Sequence, residues 1–255
     1  MKKHSSLTNR TDISDFIIHF TKDIGTSTAK ENLSNILNEM KVEGRAYHCL
    51  FQKSLDKQSK EIKDKFNVSC FTETPIHKLE DMFLLQNKQK HFKPYGIIFS
   101  KDSLKDYEES GMNNLANHPN PVFYASGDNK NLIKSLYEQF NKWLDDSIKG
   151  VENNFHIFGS LVNIVNEKHN WIWEREWRVV GNYEFIIPDI IAVIAPENEH
   201  DEIRNSINYD FADAITFIDI NWSQEKQLSK ICAFAWNNWY KYNQTLQQLE
   251  KLKGN

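Results

Sequence analysis

The stretch that decides the fold is residues 171–195, which read WIWEREWRVVGNYEFIIPDIIAVIA. Trp173–Val180 is typical of a strand, although charged side chains alternate along it. Ile190–Ala195 is a nearly continuous apolar run of the kind found in buried strands. We expect both segments to belong to one sheet, and the other elements are placed around them.

Strands and helices are interleaved along the chain without strict alternation. Further strands are predicted at 16–21, 67–71, 95–100, 121–124 and 214–220, and helices at 29–40, 131–149, 199–207 and from 223 onward. The sequence contains no GxGxxG and no GxxxxGK[ST], which disfavours a dinucleotide-binding Rossmann unit and a P-loop. The simplest assignment is one α+β domain over residues 1–255, with a mixed, partly antiparallel sheet, loosely ordered residues 1–15 and a C-terminal helix over 223–255.

The composition is that of an ordinary soluble globular protein, with a net charge of −4 over 255 residues. Any contact with nucleic acid must therefore come from a local basic patch, and lysines cluster at 53–65 and 88–93. The three cysteines, Cys49, Cys70 and Cys232, are widely spaced, which argues against a disulfide framework and a structural zinc site. Without a secretory signal or an apolar membrane span, the expected location is the cytoplasm.

The segment Glu174–Arg178 is the first candidate for chemistry. If it is a strand, alternation places Glu174, Glu176 and Arg178 on one face and Arg175 and Trp177 on the other. We expect a face with two carboxylates and a guanidinium to be wet or to line a polar cleft rather than to lie in the core. In a cleft, Arg178 could hold one carboxylate ionised, whereas the alternative is an exposed strand with cross-strand ion pairs.

Three other places carry polar or aromatic side chains that could contact a ligand. His19 and Thr21 would share one face of the first strand and could grip a sugar or an amide, although a lone histidine is commonly structural. Tyr124 ends a predicted strand and could stack on an aromatic ligand ring or simply be half-buried. Thr72 and Glu73 follow the second strand, and this turn can face a ligand or cap the next helix.

Several short motifs occur in a characteristic order. They are HFT followed by NLSNIL (within His19–Leu37), CFTETP (Cys70–Pro75), YGIIFSK (Tyr95–Lys101), NPVFY (Asn120–Tyr124) and WxxExEWR (Trp171–Arg178). Over roughly residues 16–220, this order resembles the AbiGi abortive-infection family of phage-defence proteins, which are ADP-ribosyltransferase-like. EWRV at 176–179, followed by 187–193, is also similar to the glutamate strand and the next strand of DarT-type nucleic-acid ADP-ribosyltransferases.

The resemblance implies an ADP-ribosyltransferase-like split sheet with flanking helices and a toxin that transfers ADP-ribose from NAD to a nucleic acid. RNA is the leading acceptor, and a protein antitoxin and a chaperone are the implied partners. In this interpretation Glu176 stabilises the oxocarbenium-like ribose, and Glu174 orients or deprotonates the acceptor. The resemblance also implies the residues that bind NAD. His19 binds the adenosine side with help from Thr21, and Phe71 or Tyr124 stacks on nicotinamide. Thr72 and Arg178 are further implied contacts.

This interpretation requires Glu176 and His19 to share one hollow. Two alternatives stay open. The first is a binding protein with an inactive cleft, which would serve as an antitoxin or a phage sensor. The second is an NAD glycohydrolase with water as the acceptor.

Overall fold

A computed structural model describes residues 13–80, 83, 92–101, 118–166, 172–208 and 212–233. Several expectations fall outside these ranges. They are the order of residues 1–12, the basic residues at 88–91, and the C-terminal helix beyond 233, whose first part, 224–233, is helical as predicted.

The secondary structure is a mixture of short strands and helices. In chain order the strands are β1 (Phe16–Phe20), β2 (Lys41–Val42), β3 (Val68–Thr72), β4 (Gly96–Ser100), β5 (Asn120–Pro121), β6 (Phe123–Ser126), β7 (Val162–Val165), β8 (Glu176–Val180), β9 (Tyr183–Glu184), β10 (Ile190–Ile194) and β11 (Phe217–Ile218). The helices are α1 (Ala29–Glu39), α2 (Gln52–Leu55), α3 (Lys60–Asp64), α4 (Lys130–Ile148), α5 (Phe155–Ser160) and α6 (His200–Asn205). The expected mixture of helices with a mixed, partly antiparallel sheet is confirmed, and the sheet is mostly antiparallel.

The chain divides into two compact units, each built from three separate segments. The first unit comprises Met1–His19, Met40–Pro75 and Lys101–Phe185. The second comprises Phe20–Glu39, Ile76–Ser100 and Ile186–Asn255.

In the first unit, four strands lie side by side in the order β1-β3-β8-β5, and each neighbouring pair is antiparallel. Ile18 of β1 lies opposite Thr72 of β3, and Thr72 lies opposite Glu176 of β8. Farther along the same pair of strands, Cys70 lies opposite Arg178. This register places the polar residues of β3 and β8 next to one another.

An aromatic core fills the other part of the first unit. The helix predicted at 131–149 is α4, and Leu136, Phe140 and Trp143 form its buried face. Asn129 caps it by accepting a hydrogen bond from the Leu132 amide. Phe140 stacks on Phe51 with ring centroids 4.6 Å apart, and further rings pack edge to face around this pair. This core fixes α4 and α5 against the strands of the unit.

The second unit has a mixed sheet of three strands in the order β11-β10-β4. β10 is antiparallel to β4 and parallel to β11, and its apolar residues are mostly buried. The prediction of a buried strand at Ile190–Ala195 is therefore confirmed. Within the described residues, none of the helices combines the length and the apolar character that crossing a membrane requires.

Candidate active site

Glu176 and Arg178 form a bidentate ion pair at the start of β8. Arg178 Nε lies 2.8 Å from Glu176 Oε1, and Arg178 Nη2 lies 2.9 Å from Oε2. The two residues are only 9% and 1% exposed. The expectation that this face is not buried is therefore wrong, because two opposite charges in bidentate contact satisfy each other's hydrogen bonds and can leave water together.

Two further contacts complete the polar cluster around this pair. Tyr124 of β6 donates its hydroxyl to Glu176 Oε2 at 3.1 Å, and Arg178 Nη1 donates to the backbone carbonyl of Ser160 at 2.8 Å. Burial, and then the nearby Glu176 charge, raise the pKa of Tyr124, so its phenol stays protonated and acts as a donor. The Glu176 carboxyl group is therefore held in one orientation from two sides.

Glu174 lies in the 3₁₀ turn Ile172–Glu174 that leads into β8. Its side chain is half-buried and, among the residues that the structure describes, its carboxylate makes no hydrogen bond or ion pair. Burial, and then the Glu176 charge, raise its pKa to about 8. Glu174 is therefore mostly protonated near neutral pH.

The turn before β8 corrects the predicted strand over Trp173–Val180. Arg175 has φ +48°, a left-handed conformation that costs a residue with a side chain about 1–2 kcal/mol. The strand therefore begins at Glu176, and Glu174 reaches the vicinity of Glu176 through a turn and not through strand alternation.

Cys70 is a member of the cluster that sequence reasoning missed. It lies opposite Arg178 in the β3–β8 register, where it interacts electrostatically with Glu176 and Arg178. Burial, and then Glu176, raise the pKa of this thiol, so it is a neutral thiol rather than a nucleophile. Only the strand register brings Cys70 here, and no spacing in the sequence indicates it.

His19 and Glu176 leave the sheet on opposite faces. Because Ile18 lies opposite Thr72 and Thr72 lies opposite Glu176, alternation puts Ile18 on the Glu176 face and His19 on the other. The His19 ring contacts Phe71 edge to face at 5.8 Å, and its Nδ1 donates to the Cys70 carbonyl at 2.8 Å. The expectation of one hollow shared by His19 and Glu176 is therefore wrong, and the adenosine-binding role of His19 stays a prediction.

The other predicted NAD-binding residues are used in different ways. Thr21 belongs to the second unit, lies just beyond β1, and donates its hydroxyl to the backbone carbonyls of Ala29 and Tyr95. Phe71 is 2% exposed, whereas Tyr124 is half-buried. Of the two aromatic rings predicted to stack on nicotinamide, only Tyr124 combines exposed surface with contact to Glu176.

Two further features that could mark a functional site are a metal-binding group and the basic cluster at 53–65. Within the described ranges, no group of three or more His, Cys, Asp or Glu side chains is arranged to hold a metal ion. Four lysines near α2 and α3 are exposed, namely Lys53, Lys57, Lys60 and Lys65, and Asp56, Glu61 and Asp64 lie among them in the sequence.

No protein-family model matches the chain, and neither a curated protein nor a solved structure matches it.

Proposed function

We propose that this protein cleaves the nicotinamide–ribose bond of NAD and transfers ADP-ribose to a nucleic acid, with RNA as the leading acceptor. The interpretation from the sequence required His19 in the same hollow as Glu176, which the strand register excludes. The proposal therefore keeps Glu176 with Arg178, Tyr124 and Glu174 and gives His19 no part in the cleavage. The observation that carries the proposal is the Glu176 carboxyl group, held by Arg178 and Tyr124, with a second carboxyl group, that of Glu174, near enough to interact with it electrostatically. Enzymes that cleave glycosidic bonds typically use a pair of neighbouring carboxyl groups. The resemblance of the motif order to ADP-ribosyltransferase-like proteins supports NAD as the substrate.

Glu176 is the group proposed to stabilise the transition state. When the C1′–N bond of NAD breaks, the electron pair leaves with nicotinamide, which becomes neutral, and positive charge develops on the ribose. A carboxylate fixed nearby stabilises that charge more than it stabilises the ground state. Arg178 and Tyr124 hold Glu176 in one orientation, so little reorganisation is needed during the reaction.

Glu174 is the group proposed to act on the acceptor. As the acceptor atom bonds to C1′, its proton must leave, and an ionised Glu174 can take it. A base with a pKa of about 8 is well matched to this step near neutral pH. Departure of nicotinamide needs no proton, so Glu174 is not required for the first bond cleavage.

In the same proposal, the fold is ADP-ribosyltransferase-like and the protein is a cytoplasmic phage-defence toxin held inactive by a protein antitoxin, with a chaperone as a further partner. If water takes the place of the nucleic acid as the acceptor of ADP-ribose, the same residues hydrolyse NAD and the protein is an NAD glycohydrolase.

A binding protein without activity is the second candidate, and one observation favours it. Arg178 contacts both oxygens of Glu176, Tyr124 also contacts one of them, and Glu176 is only 9% exposed. An ion pair of this kind can serve the fold alone.

The decisive experiment incubates labelled NAD with the protein and RNA, then separates free ADP-ribose, labelled RNA and labelled protein. We expect labelled RNA, and we expect Glu176→Gln to lower the rate by at least about 100-fold, because it removes the charge that stabilises the transition state. Glu184→Gln, an exposed glutamate in β9, is the matched control and should leave the rate unchanged.

Three results would contradict parts of the proposal. Free ADP-ribose without labelled RNA or protein indicates a glycohydrolase. Label in protein alone indicates a different acceptor. A wild-type protein as inert as Glu176→Gln toward RNA, DNA and a protein lysate indicates the binding protein.

A further inference from the structure

The turn that carries Glu174 is held by two consecutive residues at the end of β3. Thr72 donates its hydroxyl to the backbone carbonyl of Glu174 at 2.5 Å. Since that hydroxyl gives its proton to Glu174, it accepts the hydrogen bond that joins it to Thr74 at 2.9 Å. Thr72 is 2% exposed, so the hydroxyl is committed to the turn and not to solvent.

Glu73 holds the next residue of the turn through both its backbone and its side chain. Its amide donates to the Arg175 carbonyl at 3.2 Å, and its Oε1 lies 3.6 Å from Arg175 Nη2. Arg175 is the residue with φ +48°. Backbone in such a conformation persists where its surroundings fix it, and Thr72 and Glu73 supply those surroundings.

The Glu73 carboxylate is itself anchored from several directions. It is 5% exposed, and its oxygens accept hydrogen bonds from the Ser14 amide at 3.3 Å and from Trp177 Nε1 at 2.7 Å. Lys101 Nζ lies 2.9 Å from Glu73 Oε1 and 4.4 Å from the centre of the Trp177 ring. Three separate segments of the chain therefore fix the Glu73 side chain, which in turn contacts Arg175 in the turn before β8.

We propose that Thr72 and Glu73 are positioning residues for Glu174: together they clamp the strained turn and hold the Glu174 carboxyl beside Glu176. This inference rests on the proposed function, because Glu174 matters for catalysis only if the cluster acts on NAD. It gives the CFTETP motif a role different from ligand contact. Thr72, predicted to bind NAD, acts instead through the Glu174 backbone.

A titration of Glu174 tests the clamp without any substrate. Carboxyl-labelled glutamate is followed by ¹³C NMR across the pH range, and the Glu174 signal is assigned by its loss in Glu174→Gln. The wild-type midpoint is expected at about 8. Thr72→Val keeps the shape of the side chain but removes the donor, so the turn loosens and the midpoint should fall below about 7 as Glu174 gains solvent and moves away from Glu176.

Matched variants separate the clamp from a general loss of packing. Thr72→Ser keeps the hydroxyl and should keep the midpoint at about 8. Thr216→Val changes another buried threonine, in the second unit, and should also leave the midpoint in place. Glu73→Gln keeps an acceptor for Trp177 but loses the charge that Lys101 and Arg175 face, so it should lower the midpoint if Thr72→Val does not fold.

In the transfer assay, the expected result for Thr72→Val is a kcat about 10-fold lower with KM unchanged, and Thr72→Ser restores kcat. A midpoint that stays near 8 in folded Thr72→Val or Glu73→Gln overturns the clamp, whatever the activity. The two proposals can also fail separately. If the wild-type protein does not cleave NAD but the Glu174 midpoint still falls in Thr72→Val and in Glu73→Gln, the proposed function is refuted and the clamp is supported.

Discussion

Arg178 is a positive charge with 1% exposure, and its only charged hydrogen-bond partner among the described residues is Glu176. Removing one member of a buried pair leaves the other charge without compensation. We expect Arg178→Met to lower the free energy of unfolding by about 3–5 kcal/mol, measured by urea denaturation.

The control for that measurement is Lys134→Met. Lys134 and Glu138 form an exposed pair on α4 at 3.9 Å, and exposed pairs of this kind contribute about 0.5 kcal/mol or less. If Arg178→Met costs no more than Lys134→Met, the ion pair does not anchor β8.

The ionisation of Glu174 predicts how transfer and stability depend on pH. Burial, and then Glu176, raise its pKa from 4.5 to about 8, so transfer should rise with pH and level off above about 8. The folded protein keeps a proton that the unfolded chain releases above 4.5, so this group makes the free energy of unfolding fall as pH rises from 4.5 to about 8. Glu174→Gln should remove both dependences, and a transfer rate that falls between pH 7 and 8 would contradict the base role.

At the scale of single residues, the sequence predicts which residue types form the candidate site better than it predicts which residues they contact. Glu176 and Arg178 are evident from their types and their spacing of two, and Tyr124 is evident from its place at a strand end. Their actual surroundings, Cys70 on the neighbouring strand and the Ser160 carbonyl that Arg178 binds, come from strand register and chain packing, which local spacing does not contain. Burial of Arg178 was also not predictable, since it depends on those partners.

At the scale of elements, the backbones of Gly44, after β2, and Gly181, before β9, lie in close contact. A Cβ on Gly44 would overlap the backbone carbonyl of Gly181, and backbone cannot move aside as a flexible side chain can. We expect Gly44→Ala to lower the free energy of unfolding by about 1–3 kcal/mol.

Arg45→Ala, at the exposed neighbouring position, is the comparison for Gly44→Ala. It removes only the surface pair with Glu43, so we expect a loss below about 1 kcal/mol in the same urea experiment. Equal losses in the two variants would mean that the glycine contact is unimportant.

Long elements with a clear period were predictable, and short ones were not. α4 and β10 carry many residues of one pattern, and their predicted bounds differ from the structure by a residue or so at each end. β7 has four residues and pairs with β6 in parallel, so its existence depends on a distant partner. The strand β8 was predicted to begin at Trp173 but begins at Glu176, because Arg175 has a left-handed backbone conformation. Glycine is the residue that usually marks this conformation in a sequence, and arginine does not.

Over the whole molecule, the predicted mixture of helices with a mixed, partly antiparallel sheet is confirmed, whereas the boundaries of the two compact units are not visible in the sequence. The chain passes between the units five times without any stretch rich in Pro, Gly or Ser. The units are defined by contacts between distant segments, which composition does not record.

The cluster around Glu176 combines side chains from β3, β6 and β8, which are separated by dozens of residues along the chain. No short excised peptide can therefore reproduce it, and a cut between β6 and β8 leaves Tyr124 and Glu176 on separate fragments. Such fragments would have to reassociate before the phenol and the carboxylate met again, which makes this pair a suitable reporter for a split-protein complementation design.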